Sequence, residues 1–291
     1  MIREKIIKNN KVFIRVWGGV GNQLFIYAFG LMYAKKHNKD LFIEDVSGFG
    51  KNSKYGNKLV LDQYELEVKF ISNYFLKHII GNNYFWIIAY KLGFVYREKS
   101  ITTFDGTALD SNYSFYQGYW QSENYFTEMR DILRNNIKLK DISDKYILKI
   151  QGKIELSINS VAIGMRFHNE EDLMGEHDVF LKDNYYESAI NILMQVSSKI
   201  DIFVFTLDVS KAKRILAKYK NVTYITPTKD FIGARHDLHL MSLCDNFIIS
   251  VSTFYWWAAY LGEKDNSTVI VPNKGFANKD ISPKEWIKIN V

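Results

Sequence analysis

Apolar positions in this chain fall into short runs and helical stripes that alternate from near the start to near the end. Val12-Phe13-Ile14-Arg15-Val16-Trp17 is apolar with one polar interruption and predicts a buried strand. Leu24, Phe25, Tyr27, Ala28, Leu31 and Met32 then recur at helical spacing. Gly18, Gly19 and Gly21, followed by Asn22 and Gln23, fill the space between, so the stretch reads as strand, glycine turn, helix. Residues 41–45 read as a second strand and 51–57 as a polar loop. Residues 73–96 read as helical and aromatic, 113–121 as a strand ending in a polar turn, and 122–133 as a helix capped by Gln121 or Ser122.

Residues 138–160 are lysine-rich and less regular, and the domain boundary is placed there, dividing 1–150 from 151–291. Strands are then expected at 161–165, 202–205, 222–225, 247–250 and 269–272. The helices between them are expected at 182–197 and 209–219, from an Asp237 cap through Cys244, and at 253–261. Strands spaced by helices of this length predict parallel sheets covered on both faces. The expected fold is α/β, with two Rossmann-like domains facing a cleft at the strand carboxyl ends.

Composition narrows the function classes. Of 291 residues, 47% are apolar and 15% aromatic, which is ample for a core. Cys244 stands alone, excluding an internal disulfide and a cysteine metal cluster and fitting a reducing compartment. The net charge of +6 suits anionic partners, but the lysines are scattered, and no nucleic-acid partner is expected. No secretory leader is expected, and no stretch reaches the roughly 20 apolar residues that span a bilayer. The aromatic segment 84–96 is read first as a buried or partly buried helix. Its other reading is a helix on a membrane surface, with Lys77, Lys91, Arg97 and Lys99 near the headgroups.

The glycine turn allows positive φ and close approach of a ligand, with helix N–H groups pointing at whatever sits above it. A plain tight connection is the equal alternative. The pattern is neither the dinucleotide fingerprint nor a phosphate loop. Gly19, Gly21, Asn22 and Gln23 are the candidates here for holding an anion, typically a phosphate or sugar oxygen. In the second half, Arg166 directly follows a strand, where a guanidinium can clamp a diphosphate or pair with Glu170 or Glu171. Asp208, after Thr206, can accept from a base edge or ribose hydroxyl, or cap a helix. Ser252 and Thr253 open an apolar helix at the same end of the sheet.

These residues carry a resemblance. Gly18-Gly19-Val20-Gly21-Asn22-Gln23-Leu24-Phe25 resembles the N-terminal signature of the α-1,2-fucosyltransferases of glycosyltransferase family 11. The run from Gln117 through Gly118-Tyr119-Trp120-Gln121-Ser122-Glu123-Asn124 to Tyr125-Phe126 resembles a second family stretch. Asp237-Leu238 with Met241-Ser242 and Cys244, then Ser252-Thr253-Phe254-Tyr255-Trp256-Trp257-Ala258-Ala259, resemble its C-terminal block, and 269–272 its closing strand. The resemblance implies a glycosyltransferase B fold, a GDP-β-L-fucose donor, inversion to an α-linkage, and no metal or other cofactor. The sequence contains no Asp-x-Asp pair. The implied partners are the GDP-sugar and an oligosaccharide or lipid-linked glycan acceptor, in the cytoplasm or on the inner membrane face.

The chain departs from the family at one strand. Where the family has His-x-Arg-Arg-x-Asp, this chain has Gly164-Met165-Arg166-Phe167-His168-Asn169. The second Arg is Phe167 and the Asp is Asn169, and the family's Ser-Asp-Asp is Thr206-Leu207-Asp208. A related 6-deoxy or 3,6-dideoxy GDP-sugar donor, or a non-catalytic sugar-binding relic, are the alternatives these changes raise. With Arg166 as the charge clamp, the base that takes the acceptor proton is sought among His168, Glu170, Glu171 and Asp172.

Overall fold

The computed structural model describes residues 10–49, 58–167, 181, 183–225 and 233–291. The chain forms two compact units, Met1–Lys138 with Asn278–Ser282, and Leu139–Ala277 with Pro283–Val291.

In the first unit, β1 (Lys11–Arg15), β2 (Asp40–Glu44), β3 (Lys69–Phe70), β4 (Val95–Arg97) and β5 (Phe115–Gln117) form a sheet in the order β3-β2-β1-β5-β4. Every pairing is parallel, with Ile14 opposite Ile43 on one side and Tyr116 on the other. Helix α1 (Val20–Lys36) follows the glycine turn as expected and is apolar almost all round, so nearly its whole surface is buried. Phe29 on α1 stacks on Trp120 with ring centroids 3.8 Å apart.

The stretch 73–96, read as helical and aromatic, divides into two helices and a strand. Asn73 caps α2 (Tyr74–Ile80) by accepting from the Leu76 N–H, and Asn82 caps α3 (Asn83–Lys91) by accepting from the Tyr84 N–H. The polar Gly81-Asn82 step separates them, and the remaining residues supply β4. A short helix α4 (Thr107–Asp110) precedes β5. The expected helix 122–133 is replaced by two 3-10 turns, Glu123–Tyr125 and Thr127–Met129, before α5 (Arg130–Asn136). Ser122 caps the first turn, accepting from the Asn124 N–H. Ser122 also donates to the Asp280 carbonyl, while the Asp280 carboxylate accepts from the Phe104 N–H, fastening the returning segment to the first unit.

In the second unit, β6 (Ser160–Met165), β7 (Asp201–Thr206), β8 (Val222–Tyr224), β9 (Asn246–Ile249), β10 (Val269–Pro272) and β11 (Ile287–Ile289) pair in the order β11-β10-β9-β6-β7-β8. All pairings are parallel. Numbered from β6, this is the doubly wound 3-2-1-4-5-6 order. Its helices are α6 (Lys145–Glu155), α7 (Asp183–Val196), α8 (Val209–Ile215), α9 (Ala234–Ser242) and α10 (Thr253–Gly262). The expected boundary at residue 150 falls inside α6, whereas the units divide at Lys138. Helix α6 buries Ile147, Ile150 and Ile154, and Asp144 caps it. Asp237 does not cap its helix. Gly233 is the cap, and Asp237 lies in the first turn of α9.

Strand β6 is buried at every position. A Cβ on Gly164 would lie 2.5 Å from the Tyr255 ring, so only glycine lets α10 pack this closely on the strand. Gly164→Ala is expected to destabilise the protein by about 1–3 kcal/mol, read as a lowered urea midpoint at unchanged slope.

Candidate functional site

In an open parallel sheet, ligands bind beyond the strand carboxyl ends where the strand order reverses. In the first unit that point lies between β1 and β5. Gly18, just past β1, has φ +80°, a conformation other residues adopt at a cost. Gly19 is the N-cap of α1 in an extended conformation, no side chain caps the helix, and among the described residues a Cβ there would meet nothing within 4 Å. Gly21 is buried in the first turn.

The structure gives Gln23 a different role from the one its sequence position suggested. It is fully buried, and its Nε2 donates to the Gly18 and Lys58 carbonyls at 2.9 and 2.8 Å. Its Oε1 accepts from the Val60 N–H at 2.9 Å. Both amide hydrogens are spent on backbone, so Gln23 clamps the glycine turn to the loop at Lys58–Val60 and does not orient a sugar. Asn22 accepts from Gln121 Nε2 at 2.9 Å, joining the two sequence motifs across the carboxyl ends of β1 and β5.

Glu98, which the sequence did not single out, follows β4. Its carboxylate accepts from the backbone N–H groups of Tyr119 at 2.6 Å and Trp120 at 3.0 Å. Trp120 sits at φ +57°, and two successive N–H groups aimed at one anion form a nest. Burial pushes the Glu98 carboxyl up to about 7 against the pull of these donors. Only long-range pairing reveals this role, because nothing local in Arg97-Glu98-Lys99 marks it.

In the second unit the strand order reverses between β6 and β9. Arg166 leaves the end of β6 with its N–H donated to Ser250 Oγ at 2.9 Å and its residue exposed. Ser252 is the buried, extended N-cap of α10, and its side chain makes no capping hydrogen bond. Thr253 is the first helical residue. Arg166 and the start of α10 therefore lie past the two strands that flank the reversal. Tyr255, one turn on, donates its hydroxyl to the Phe205 carbonyl at 3.0 Å, with Met165 O at 3.3 Å. Burial raises its phenol, the Asp237 carboxylate adds to that, and the Arg166 guanidinium opposes it, so these three groups are electrostatic neighbours.

Asp208 takes the cap role, accepting from the Lys211 N–H at 2.9 Å, and its own N–H donates to Thr206 Oγ1. Phe167, at the place of the family's second Arg, packs against the core of the sheet, and Lys211 Nζ lies 4.5 Å from its ring centroid. A cation thus stands beside the position that lost one. Asp237 has its carboxyl pushed up to about 7 by burial, with no hydrogen-bond partner for Oδ1 among the described residues. His168, Asn169, Glu170, Glu171 and Asp172 lie outside the described residues. Among the described residues, no group of three or more His, Cys, Asp or Glu is arranged to hold a metal.

The profile of Glycosyl transferase family 11 matches residues 57–290. Two Escherichia coli proteins are similar over almost their whole lengths. One is an alpha-1,2-colitosyltransferase, 25% identical over 96% of this chain and 98% of its own. The other is the O-antigen biosynthesis glycosyltransferase WbnK, 24% identical over 94% and 98%. Among solved structures, the fold is similar to NodZ alpha-1,6-fucosyltransferase soaked with GDP-fucose, at TM-score 0.52 and 14% identity, covering 86% of this chain and 92% of that one. It is also similar to an Arabidopsis thaliana FUT1 variant in complex with GDP, at TM-score 0.54 and 12% identity, covering 91% and 70%. At these identities the structural likeness is one of fold.

The raised Glu98 value carries a sign. A carboxyl whose folded value lies above its unfolded value of about 4.3 binds more protons in the native chain. Stability then falls as pH rises through that window to about 7, and is level above it. Wild-type protein is therefore expected to lose more stability between pH 5 and pH 8 than Glu98→Gln, measured by urea unfolding at both pH values. The comparison removes the parallel contribution of Asp237. Equal losses would contradict the burial of Glu98.

Proposed function

Since this chain belongs to glycosyltransferase family 11, we propose that it transfers L-fucose from GDP-β-L-fucose to a galactose-type hydroxyl in α-1,2 linkage, in the synthesis of a surface polysaccharide such as O-antigen. The observation that carries the reading is Arg166 beside the α10 N-terminus at the strand-order reversal of a doubly wound sheet. A cation beside helix N–H groups at such a place suits a nucleoside diphosphate. In the reaction, the acceptor oxygen forms a bond to the anomeric carbon from the face opposite the diphosphate. The carbon–oxygen bond to GDP breaks with its electrons leaving on the phosphate, and the acceptor proton passes to a base. Arg166, the first N–H groups of α10 and Lys211 supply positive charge to the departing GDP, a task we assign to the protein without a metal. His168 and Glu170 are the residues we propose for the base and its support. A nucleotide-sugar donor and one buried cysteine suit a cytoplasmic setting.

A second reading is favoured by one difference. Phe167 stands where the family has an Arg, and one relative is named a colitosyltransferase. Colitose is a 3,6-dideoxy hexose. A donor with one hydroxyl fewer asks for one polar partner fewer, so GDP-colitose is the alternative donor.

The test is a thermal-shift screen of GDP, GDP-fucose, GDP-colitose, GDP-mannose, UDP and dTDP-sugars, with and without chelator. Stabilisation by GDP and one of the two deoxysugar donors, unchanged by chelator, is the expected result. Stabilisation by UDP or dTDP ligands alone would overturn the GDP assignment. Arg166→Ala is expected to lower kcat/KM by roughly 10²–10³ at unchanged melting temperature, and Lys211→Ala to raise the donor KM. Wild-type turnover in Arg166→Ala would remove it from the site.

A further inference from the structure

Helix α3 is partly buried, one of the readings the sequence offered for 84–96, and α2 before it is partly buried too. Within them only Ile80, Trp86 and Ala89 are buried, packed with Phe13, Ile71 and Val95. Phe85 is half-buried against the same cluster, and their other apolar side chains face outward. Tyr74 is 85% exposed, Phe75 74% and Tyr84 72%, with Leu76, Ile79, Ile87, Ile88 and Leu92 also exposed. Monomeric soluble proteins rarely show an apolar surface this continuous without a use for it.

Beneath this face lies a groove of about 720 Å³. Phe13, Phe85, Phe94 and Phe115 line it, with Ile79 and Ile88. Among the described residues its polar lining includes Lys11, His78, Asn82 and Ser114, with no carboxylate. The volume lies in the roughly 300–1,000 Å³ range of small-molecule sites, yet the lining offers an aliphatic chain more than it offers a sugar.

Charge names the occupant. From Asn73 to Leu92 the sequence holds Lys77, His78 and Lys91 and no Asp or Glu. Lys77 pairs with Asp45, while Lys91 and His78 are exposed. Tyr90 carries the Arg97 guanidinium over its ring at 4.0 Å. Exposed aliphatic and aromatic side chains with an exposed Lys91, and no Asp or Glu in the helices themselves, match the boundary between acyl chains and anionic headgroups, where Tyr rings sit and Lys side chains reach outward. A protein partner would not demand charge of one sign.

We propose that α2 and α3 dock the first unit on an anionic lipid bilayer, with Tyr74, Phe75, Tyr84 and Ile88 at the headgroup–acyl boundary and the groove receiving a lipid acyl chain. The proposal goes beyond the transfer reading and does not require its donor. An enzyme held this way meets a lipid-linked acceptor on the surface that anchors it.

The experiment is co-sedimentation of the full chain with phosphatidylcholine vesicles, with and without phosphatidylglycerol, alongside its solution mass by light scattering. Binding is expected to the anionic vesicles, weaker by about tenfold without phosphatidylglycerol, and weaker by about tenfold or more in Phe75→Ser/Ile88→Ser. Lys91→Glu is expected to weaken it and Leu156→Ser, an 86% exposed residue of the second unit, to leave it unchanged. The altered side chains are exposed, so melting temperatures should stay level and report that the fold is intact. No binding to any vesicle, binding insensitive to the double substitution, or a dimer that the double substitution dissolves would each overturn the proposal. The donor screen reads a different unit of the protein, so either reading can fail alone.

Discussion

The Tyr255 ring rests on Gly164, and the chemistry end of the second sheet is arranged around that contact. In a parallel sheet the last carbonyls of neighbouring strands point out of the ladder and need donors. Tyr255 donates to the Phe205 carbonyl with Met165 O close by, and Tyr185, from α7, donates to the Ile249 carbonyl with Ile270 O close by. Two buried phenols thus sit against the ends of β6, β7 and β9. Because Tyr255 belongs to the first turns of α10, the same ring that satisfies the strands also fixes where the helix begins. The position of the α10 N–H groups relative to Arg166 follows from a glycine with no side chain.

The first unit solves the mirror problem with acceptors. Its loops present backbone N–H groups, and carboxylates collect them. Glu44, buried beside Arg15, takes the N–H groups of Val46 and Ser47, and Glu98 takes those of Tyr119 and Trp120. Gln23 does both jobs at once for the glycine turn. In each case the polar group works on the backbone, which makes the loops rigid and leaves the surface above them for a ligand.

These roles explain what was legible. Strand, glycine turn and helix at β1–α1, and the alternation of the second half, follow from periodicity, and periodicity survives into the structure because burial enforces it. The division of 73–96 was missed because the segment is apolar on several sides, so no stripe marks a boundary, and the two Asn caps are ordinary polar residues until a helix ends beside them. Helix α6 was missed because lysines dilute an apolar spacing of Ile147, Ile150 and Ile154 that is nonetheless helical. Arg166, Ser252 and Thr253 could be singled out because they come just past strand ends, Arg166 directly after β6 and Ser252 a short turn after β9. Gln23 and Glu98 could not be read correctly, since their partners lie far along the chain and a polar residue in a motif looks the same whether it faces a ligand or the backbone.

Cys244 has a practical consequence. It is fully buried just before β9, and desolvation with the nearby Asp245 charge pushes its thiol well above the ordinary range, so the reactive thiolate is suppressed. It is also the only cysteine in the sequence. The native protein is therefore silent to alkylating dyes while folded. A single cysteine engineered into any exposed position would carry a fluorophore or spin label with no background, so this fold can be fitted with spectroscopic rulers without first being stripped of its own sulfur.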